Sequence, residues 1–505
     1  MKSDRRRPIE RGAEGAPLSS DRRRPVEPGA EGTPHSSDRS RPVEPGADGA
    51  PLRDHDLKRG LGKAFGVRRS PVRPAARWLD TNLGGSGLLR AELRHIFPDS
   101  WAFFLGEIAL YCFIILVASG VFLALFFEPS EAPVVYQGSY APLAGAEMSA
   151  AYDSALGLSL DVRAGLLVRQ VHHWAALVFV AALIIHLLRM FLTAAYRRPR
   201  RINWLIGLGL LFLVGFNGLM GYSLPDDLLS GTGLRISYAI TESIPFVGPS
   251  MASLLFGGEF PTGGIIARIY PVHIFLLPAA IAGLLGLHLG LLWLQRHTQF
   301  PGPGRSDRTM IGTPMVPAYA LRTGGYFLLC AGVITAFGAF LQINPVWLYG
   351  PYRAWDATTA AQPDWYMGWL EGAVRLFPGW DIQIGGFLLP AVFWPAVILP
   401  GLIFTPLFLV PWMDWVVTQD GAFHNVLQLP GQHPIRTALA AGFVTFLSVL
   451  LVAGANDVFA VLYDWSQPLL LTVLQVLVIV LPPVVALLTY VLVRWRARRW
   501  ASTVR

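Results

Sequence analysis

Cysteine is nearly missing from this chain. Two occur in 505 residues, Cys112 and Cys330, both inside long apolar runs. This excludes a disulfide framework, a cysteine-based zinc motif and a CxxCH site for covalent haem attachment. Charge is also scarce: Asp, Glu, Lys and Arg supply 15% of the residues against 53% hydrophobic ones, with 29 Phe and 16 Trp. Several uncharged runs exceed the ~20 residues that cross a bilayer, so the composition is that of an all-α polytopic membrane protein. A net charge of +8 invites a nucleic-acid reading, but the basic residues lie in the N-terminal tail and between apolar runs. There they act as topology signals, and the expected surroundings are membrane lipid, with no nucleic-acid partner.

What is present begins with repetition. Residues 3–53 are three units of period 17, SDRRRPIERGAEGAPLS, SDRRRPVEPGAEGTPHS and SDRSRPVEPGADGAPLR. Units rich in Pro, Gly and Arg have almost nothing apolar to bury, so residues 1–60 are expected to be a disordered tail. No apolar run follows the first charges, so no secretory leader is expected. A short amphipathic piece over 75–97 suits a membrane surface. Eight apolar segments follow, at about 102–127, 165–195, 202–224, 265–295, 321–344, 384–412, 437–462 and 468–493. Arginine fills the links after the second and fourth segments and the C-terminal stretch RWRARRWASTVR. The links after the first, third and seventh instead carry Glu128, Glu131, Glu147, Asp153, Asp161, Asp226, Asp227, Glu242, Glu259, Asp457 and Asp464. The positive-inside rule then puts both termini in the cytoplasm.

Five of the 11 histidines lie at membrane depth. His172 and His186 are 14 residues apart in the second segment; at 100° per residue that is about 40° short of four turns, so both rings leave one face. His273 and His288 are 15 apart in the fourth segment, about 60° past four turns, and again share a face. Each pair is separated by ~21–22 Å, roughly two thirds of a ~30 Å hydrocarbon core. Two such helices facing each other make two bis-imidazole sites, a geometry for two stacked haems. A lone intramembrane histidine is more often a hydrogen-bonded or proton-handling residue; two matched pairs favour ligation. His173 is about 140° off the face of His186 and is assigned as a neighbour of the ligand.

Glycine repeats the same spacing. Gly106 and Gly120 in the first segment, and Gly207 and Gly221 in the third, are again 14 apart. A helix passing a porphyrin edge needs residues without side chains at two levels; close helix packing is the other account of intramembrane glycine. Arg169, Arg189 and Arg268 are placed to meet haem propionates, although Arg189 also fits a snorkelling interfacial charge. The expected architecture is a four-helix haem-binding bundle over 75–300, further helices over 318–495, and a basic cytoplasmic tail over 496–505.

In combination these residues resemble the cytochrome b subunit of a respiratory quinol:cytochrome c oxidoreductase. The resemblance rests on RQVHHW with IIHLLR, IARIYPVH with GLHL, the paired glycines, the run from NWLIG to MGYSLP, and PDWY at 363–366, and it spans about residues 90–495. FPDSWAFFLGEIALYCF, the 15-residue histidine step and PDWYMGWLEGA look most similar to the actinobacterial branch, which works with menaquinol. The resemblance implies a Q cycle in the bacterial cell membrane. Quinol is oxidised at an outer pocket, and electrons cross two non-covalent b haems to quinone at an inner pocket. By position, His172 and His273 would hold the low-potential outer haem iron, and His186 and His288 the high-potential inner one. Implied partners are a Rieske iron-sulfur subunit, a cytochrome c subunit of dihaem type, a second copy of the complex and an aa3-type terminal oxidase.

At the outer pocket the resemblance gives catalytic roles to Asp364, Tyr366 and Glu371. Three departures stand out. The family motif is usually PEWY, so Asp364 is one methylene short, and Glu371 occupies a position where many relatives carry Tyr. The family's WGQ is replaced by LPDDLLSGTGLR, leaving Ser230 and Gly233 as the residues for that pocket wall. At the inner pocket His297 and Asp307 are the candidates, with ordinary loop roles as the alternative. Two other functions compete: a dihaem membrane anchor of a dehydrogenase, which would lack the PDWY loop, and a transporter, which would place its site at broken helices near the midplane.

Overall fold

Among the described residues, eight helices are long and apolar enough to cross a membrane. The computed structural model describes residues 95–260, 263–356 and 362–503; the repeated tail and nearly all of the amphipathic piece lie outside the described residues. After a two-residue strand β1 (Ile96–Phe97) come α1 (Trp101–Ala124), the strands β2 (Pro133–Val135) and β3 (Glu147–Ser149), α2 (Ala150–Leu160), α3 (Gly165–Leu192) and α4 (Arg201–Tyr222). Two short helices, α5 (Leu228–Glu242) and α6 (Gly248–Phe256), precede α7 (Ile265–Gln295). Strand β4 (Thr313–Pro314) pairs antiparallel with β1 and leads into α8 (Met315–Phe340). The rest comprises α9 (Val346–Tyr349), α10 (Gly368–Leu376), the hairpin β5 (Ile382–Ile384) and β6 (Phe387–Leu389), α11 (Trp394–Thr418), α12 (Pro434–Gly454), α13 (Asn456–Tyr463) and α14 (Gln467–Thr503).

Helix α1 runs along α3, α4 along α7, and α3 meets α4, which closes the expected four-helix bundle; α8 packs on its α3 side. Small residues let these backbones approach: Ala109, Cys112, Ala175 and Ala182 are buried where the helices meet. Among lipid-facing helices, such packing replaces the hydrophobic drive available in water.

The sixth span starts later than its hydropathy suggests. Residues 384–389 were expected inside it, yet Ile382–Ile384 and Phe387–Leu389 form a two-stranded hairpin. Gly385 and Gly386 turn it with φ of 55° and 89°, a left-handed pair of conformations that glycine adopts without strain. Local turn chemistry thus overrides apolar content, and the helix begins at Trp394.

One turn of α7 is wide. Pro271 has no N–H for the helix ladder, and Val272–Leu276 forms a π-turn directly after it. A π-turn takes up one extra residue, so the 15-residue step from His273 to His288 acts as a 14-residue step. The two histidine helices therefore present their rings in matching register.

The arginine-rich side is fastened by Arg200, whose side chain is 2% exposed. Its guanidinium donates to the carbonyls of His424 at 2.6 Å and Arg296 at 2.9 Å, and to Asn425 Oδ1 at 2.6 Å. The end of α7, the α3–α4 link and the α11–α12 link all meet on this one group. Replacing Arg200 by Met should therefore strand several buried acceptors and lower stability by roughly 3 kcal/mol or more. Thermal loss of helical circular dichroism in detergent checks this, with Arg198→Met, at an exposed arginine lying over the Phe423 ring, expected to change little.

Candidate functional site

The RQVHHW stretch of α3 can be read residue by residue. Arg169 Nη1 donates to the Asn344 carbonyl at 3.2 Å, Gln170 bonds both backbone groups of Ile343, and Trp174 Nε1 donates to the Leu341 carbonyl at 2.7 Å. These three pin the chain leaving α8 against α3. The two histidines between them point elsewhere, in two directions.

His172 faces His273, with ring centroids 6.3 Å apart and planes at 74°. An imidazole nitrogen binds a first-row metal at ~2.0–2.1 Å and lies ~1.1 Å from its ring centre, so two imidazoles on opposite sides of one metal have centroids roughly 6.3 Å apart. The spacing fits a single iron between them.

The tautomers fit as well. His273 Nδ1 lies 3.0 Å from the Asn217 carbonyl, which can only accept, so Nδ1 carries the proton and Nε2 keeps a free lone pair. His172 Nδ1 lies 2.9 Å from Ser119 Oγ, whose own hydrogen is directed at the Ile115 carbonyl at 2.7 Å. Ser119 therefore accepts, and His172 also offers Nε2. Such outer hydrogen bonds commonly orient metal-bound histidines. At the other level His186 and His288 lie within electrostatic range of each other. His186 Nδ1 is buried without a protein partner.

The four glycines meet the four histidines one to one. A Cβ built at Gly106 or Gly120 would sit 3.3 Å from Cε1 of His186 or His172, and one at Gly207 3.6 Å from Cε1 of His288. At Gly221 it would fall 2.4 Å from Cε1 of His273. The imidazole rings themselves occupy the space that these glycines leave. Helix α1 thus clears room for the rings of α3, and α4 for those of α7.

Among the described residues no group of three or more His, Cys, Asp or Glu could hold a metal ion by itself. Paired imidazoles instead suit a group that brings its own equatorial donors, as haem does. Arg169 has two guanidinium nitrogens, Nε and Nη2, buried without partners, and Arg189 has Nε and Nη1 in the same state. Both are suited to a haem carboxylate. Arg268 is exposed and donates to the Leu254 carbonyl at 3.2 Å, with Gly257 after α6 beside it.

His173 holds the PDWY loop. Its Nε2 lies 2.7 Å from Asp364 Oδ1, and the Tyr366 hydroxyl donates to Oδ2 at 3.3 Å. Tyr366 is buried against the bundle, where a side chain at Gly218 would collide with its hydroxyl. Burial and the Asp364 charge push its phenol well above the ordinary range. Glu371, on α10, pairs through Oε1 with Arg375, which also bonds Asp457 at 2.9 Å. Burial pushes the Glu371 carboxyl up, and Arg375 opposes this. Its Oε2 is buried without a partner. Glycine contacts fix α10, since Gly372 and Gly454 bring its backbone directly onto that of α12.

Ser230 closes a capping box with Asp227, its N–H donating to Oδ1 at 2.7 Å; it starts α5 rather than contributing a free pocket hydroxyl. Gly233 lies against the Tyr222 ring. On the same side a cleft of about 230 Å³ is lined by Glu131, Asp226, Gly231 and Tyr352. Burial pushes Glu131 up to about 7 and Asp226 up to about 6. Neither carboxylate was singled out from sequence, because each reads there as a loop charge. On the opposite side His297 is buried against the Phe97 ring at 4.3 Å, and burial lowers its imidazole to about 4. Asp307 is occupied in loop structure, its Oδ1 accepting from the backbone of Asn425 at 2.6 Å and Val426 at 2.8 Å.

Residues 177–351 match the family described as "Cytochrome b(N-terminal)/b6/petB". The chain is 47% identical over 418 residues to the "Cytochrome bc1 complex cytochrome b subunit" of Mycobacterium tuberculosis, covering 83% of this chain and 75% of that one. It is 48% identical over 392 residues to the subunit of the same description from Streptomyces coelicolor, covering 77% and 72%. The fold matches a solved structure described as "Hyperthermophilic respiratory Complex III" with a TM-score of 0.62 at 21% identity, covering 82% of this chain and 99% of that one.

The glycine distances order a series of substitutions. Haem content per chain, measured by pyridine haemochrome, should fall most for Gly221→Ala, less for Gly106→Ala and Gly120→Ala, and least for Gly207→Ala. Loss at Gly207 exceeding loss at Gly221 would contradict the one-to-one fit.

Proposed function

The chain belongs to the cytochrome b subunits of bc1-type respiratory complexes, and from that premise we propose that it oxidises menaquinol on its carboxylate-rich side and passes electrons across the membrane to quinone on its arginine-rich side. The two imidazole pairs would hold two b haems, which when bound supply one-electron carriers at two depths. His172 and His273 orient one through their fixed tautomers, and His186 and His288 the other. Arg169 and Arg189 would neutralise propionates with their unpaired guanidinium nitrogens.

One observation carries the reading. Two successive residues of α3 turn to different tasks: His172 towards the partner imidazole and His173 towards the Asp364 carboxylate. A quinol headgroup between them would lie beside an electron acceptor and a proton acceptor at once. Two-electron oxidation of a quinol releases two protons. Asp364, bonded to His173, accepts one within hydrogen-bond reach. Glu371 offers Oε2 as a second acceptor, and its raised affinity keeps a proton from leaving at once to solvent. Tyr366 holds the Asp364 carboxylate in place.

The arginine-rich side faces the cytoplasm in this reading, so quinol protons are released outside and the cycle contributes to the proton gradient. The two electrons must part. The chain's two cysteines lie in α1 and α8, so neither an iron-sulfur cluster nor a covalent haem is its own. One electron goes to partners, a Rieske iron-sulfur subunit and then a dihaem cytochrome c, and the other to the haem pair. The complex is a dimer and associates with an aa3-type terminal oxidase.

The purified complex tests this directly. Asp364→Asn and His173→Leu should each retain both b-haem bands in the reduced-minus-oxidised spectrum while quinol:cytochrome c turnover falls by roughly 10²-fold or more. His172→Leu should lose one haem. Full turnover in both Asp364→Asn and His173→Leu would overturn the assignment, as would two intact haems in His172→Leu.

A further inference from the structure

The eight spans contain two carboxylates, Glu107 in α1 and Asp414 in α11. Asp414 is neutralised by a bidentate pair with Arg197, at 2.7 and 3.0 Å. Glu107 is held differently. Its Oε1 accepts from the Tyr319 hydroxyl at 2.6 Å, and its Oε2 from Tyr111 and Thr323, both at 2.7 Å. Among the described residues it forms no ion pair. An ionisable group at this depth without a structural counter-charge marks function by default.

Its position says which function. Gly106, the preceding residue, lies against the His186 ring, so the carboxylate stands at the level of the inner histidine pair, on a face of α1 turned to α8. The Tyr319 ring stacks on Phe97 at 4.1 Å, and Phe97 packs on His297 at 4.3 Å. A flat aromatic wall of this kind suits a quinone ring. From Tyr319 the way to water is short. Arg322 lies over its ring, 5.2 Å from the centroid, and pairs with half-exposed Asp99 at 2.9 Å. Resting on the quinone-reduction reading above, we infer that Glu107 is the carboxylate that delivers protons to quinone at the inner pocket, with Tyr319 as the hydroxyl between carboxylate and quinone.

The hydrogen bonding lets the carboxylate change protonation in place. An ionised carboxylate has about four acceptor positions, and three are filled here. The Tyr111 hydroxyl also has a second acceptor, the Thr323 carbonyl at 3.1 Å. When Oε2 takes a proton, Tyr111 can turn to that carbonyl and no donor is stranded. Quinone takes up two electrons and two protons to become quinol; Glu107 gives a proton to a quinone oxygen as an electron arrives, and is recharged from water on the arginine-rich side. The other titratable or charged groups facing it are Tyr111 on its own helix, Tyr319, Arg322 and Cys330 on α8, and His297 beyond Phe97.

The test uses the whole complex with its iron-sulfur and cytochrome c centres pre-reduced by ascorbate, so that a water-soluble naphthoquinol can reduce b haem only through the inner pocket. Glu107→Gln should slow that reduction roughly 10²-fold with both haem bands retained, and Glu107→Asp should recover part of the rate. The reduced-minus-oxidised infrared difference spectrum should show a carboxylic C=O band that is absent from Glu107→Gln. Tyr319→Phe, which keeps the ring stacking, should shift the pH profile of the same rate. A wild-type rate and pH profile in Tyr319→Phe, or in Glu107→Gln with the infrared band unchanged, would overturn the role of Glu107. Failure of the wild-type complex to reduce b haem under these conditions would instead remove the inner-pocket reading on which it rests.

Discussion

An imidazole can bind a metal only through a nitrogen that has given up its proton, and inside a membrane no water is at hand to sort out which nitrogen that is. Here the backbone carbonyl of Asn217 and the hydroxyl of Ser119 make the choice for His273 and His172. Each draws the hydrogen to Nδ1 and leaves Nε2 facing its opposite ring. The wider arrangement serves that outcome. Helix α1 supplies both the serine and the glycines beside the α3 rings, while α4 supplies the carbonyl and the glycines beside the α7 rings. Helices α1 and α4 thus set the protonation of the histidines on α3 and α7 that face them.

In the proposed function the same α3 turn ties electron transfer to proton transfer. His173, one residue along, is rotated by about 100°, which carries it from the bundle interior to the loop between α8 and α11. Arg169, Gln170 and Trp174 hold residues 341–344 against α3. The loop bearing Asp364 is thereby anchored to the helix that bears His172, through side-chain bonds to backbone atoms. On the arginine-rich side Arg200 does comparable work for the loops that follow α7 and α11.

Much of this was legible in the sequence. The 14-residue spacings of histidine and glycine and the run of eight apolar segments each carry a geometric meaning that helix periodicity exposes, whereas the PDWY position was legible only through the family resemblance. Three features were not. The 15-residue step from His273 to His288 looked like a tolerable offset, whereas Pro271 and the π-turn after it remove that offset; a proline in a helix signals a break without saying how the ladder is repaired. His173 was recognised only as off the ligand face, because its partner lies 191 residues away and contacts at such separation leave no periodic trace. Glu107 was passed over inside an apolar match. Its meaning comes from hydroxyls on α8 that only the fold brings to it.

The central claim is that each chain holds two irons, each between two imidazoles, with the Nδ1 protons of His172 and His273 committed to Ser119 and Asn217. Electron paramagnetic resonance of the oxidised purified protein, combined with its haem-to-chain ratio, addresses that claim most directly. Two low-spin b haems per chain are predicted, with the iron between His172 and His273 showing the strong anisotropy of imidazole planes set at 74°. A single haem, high-spin iron at either level, or protein that folds without colour would contradict it.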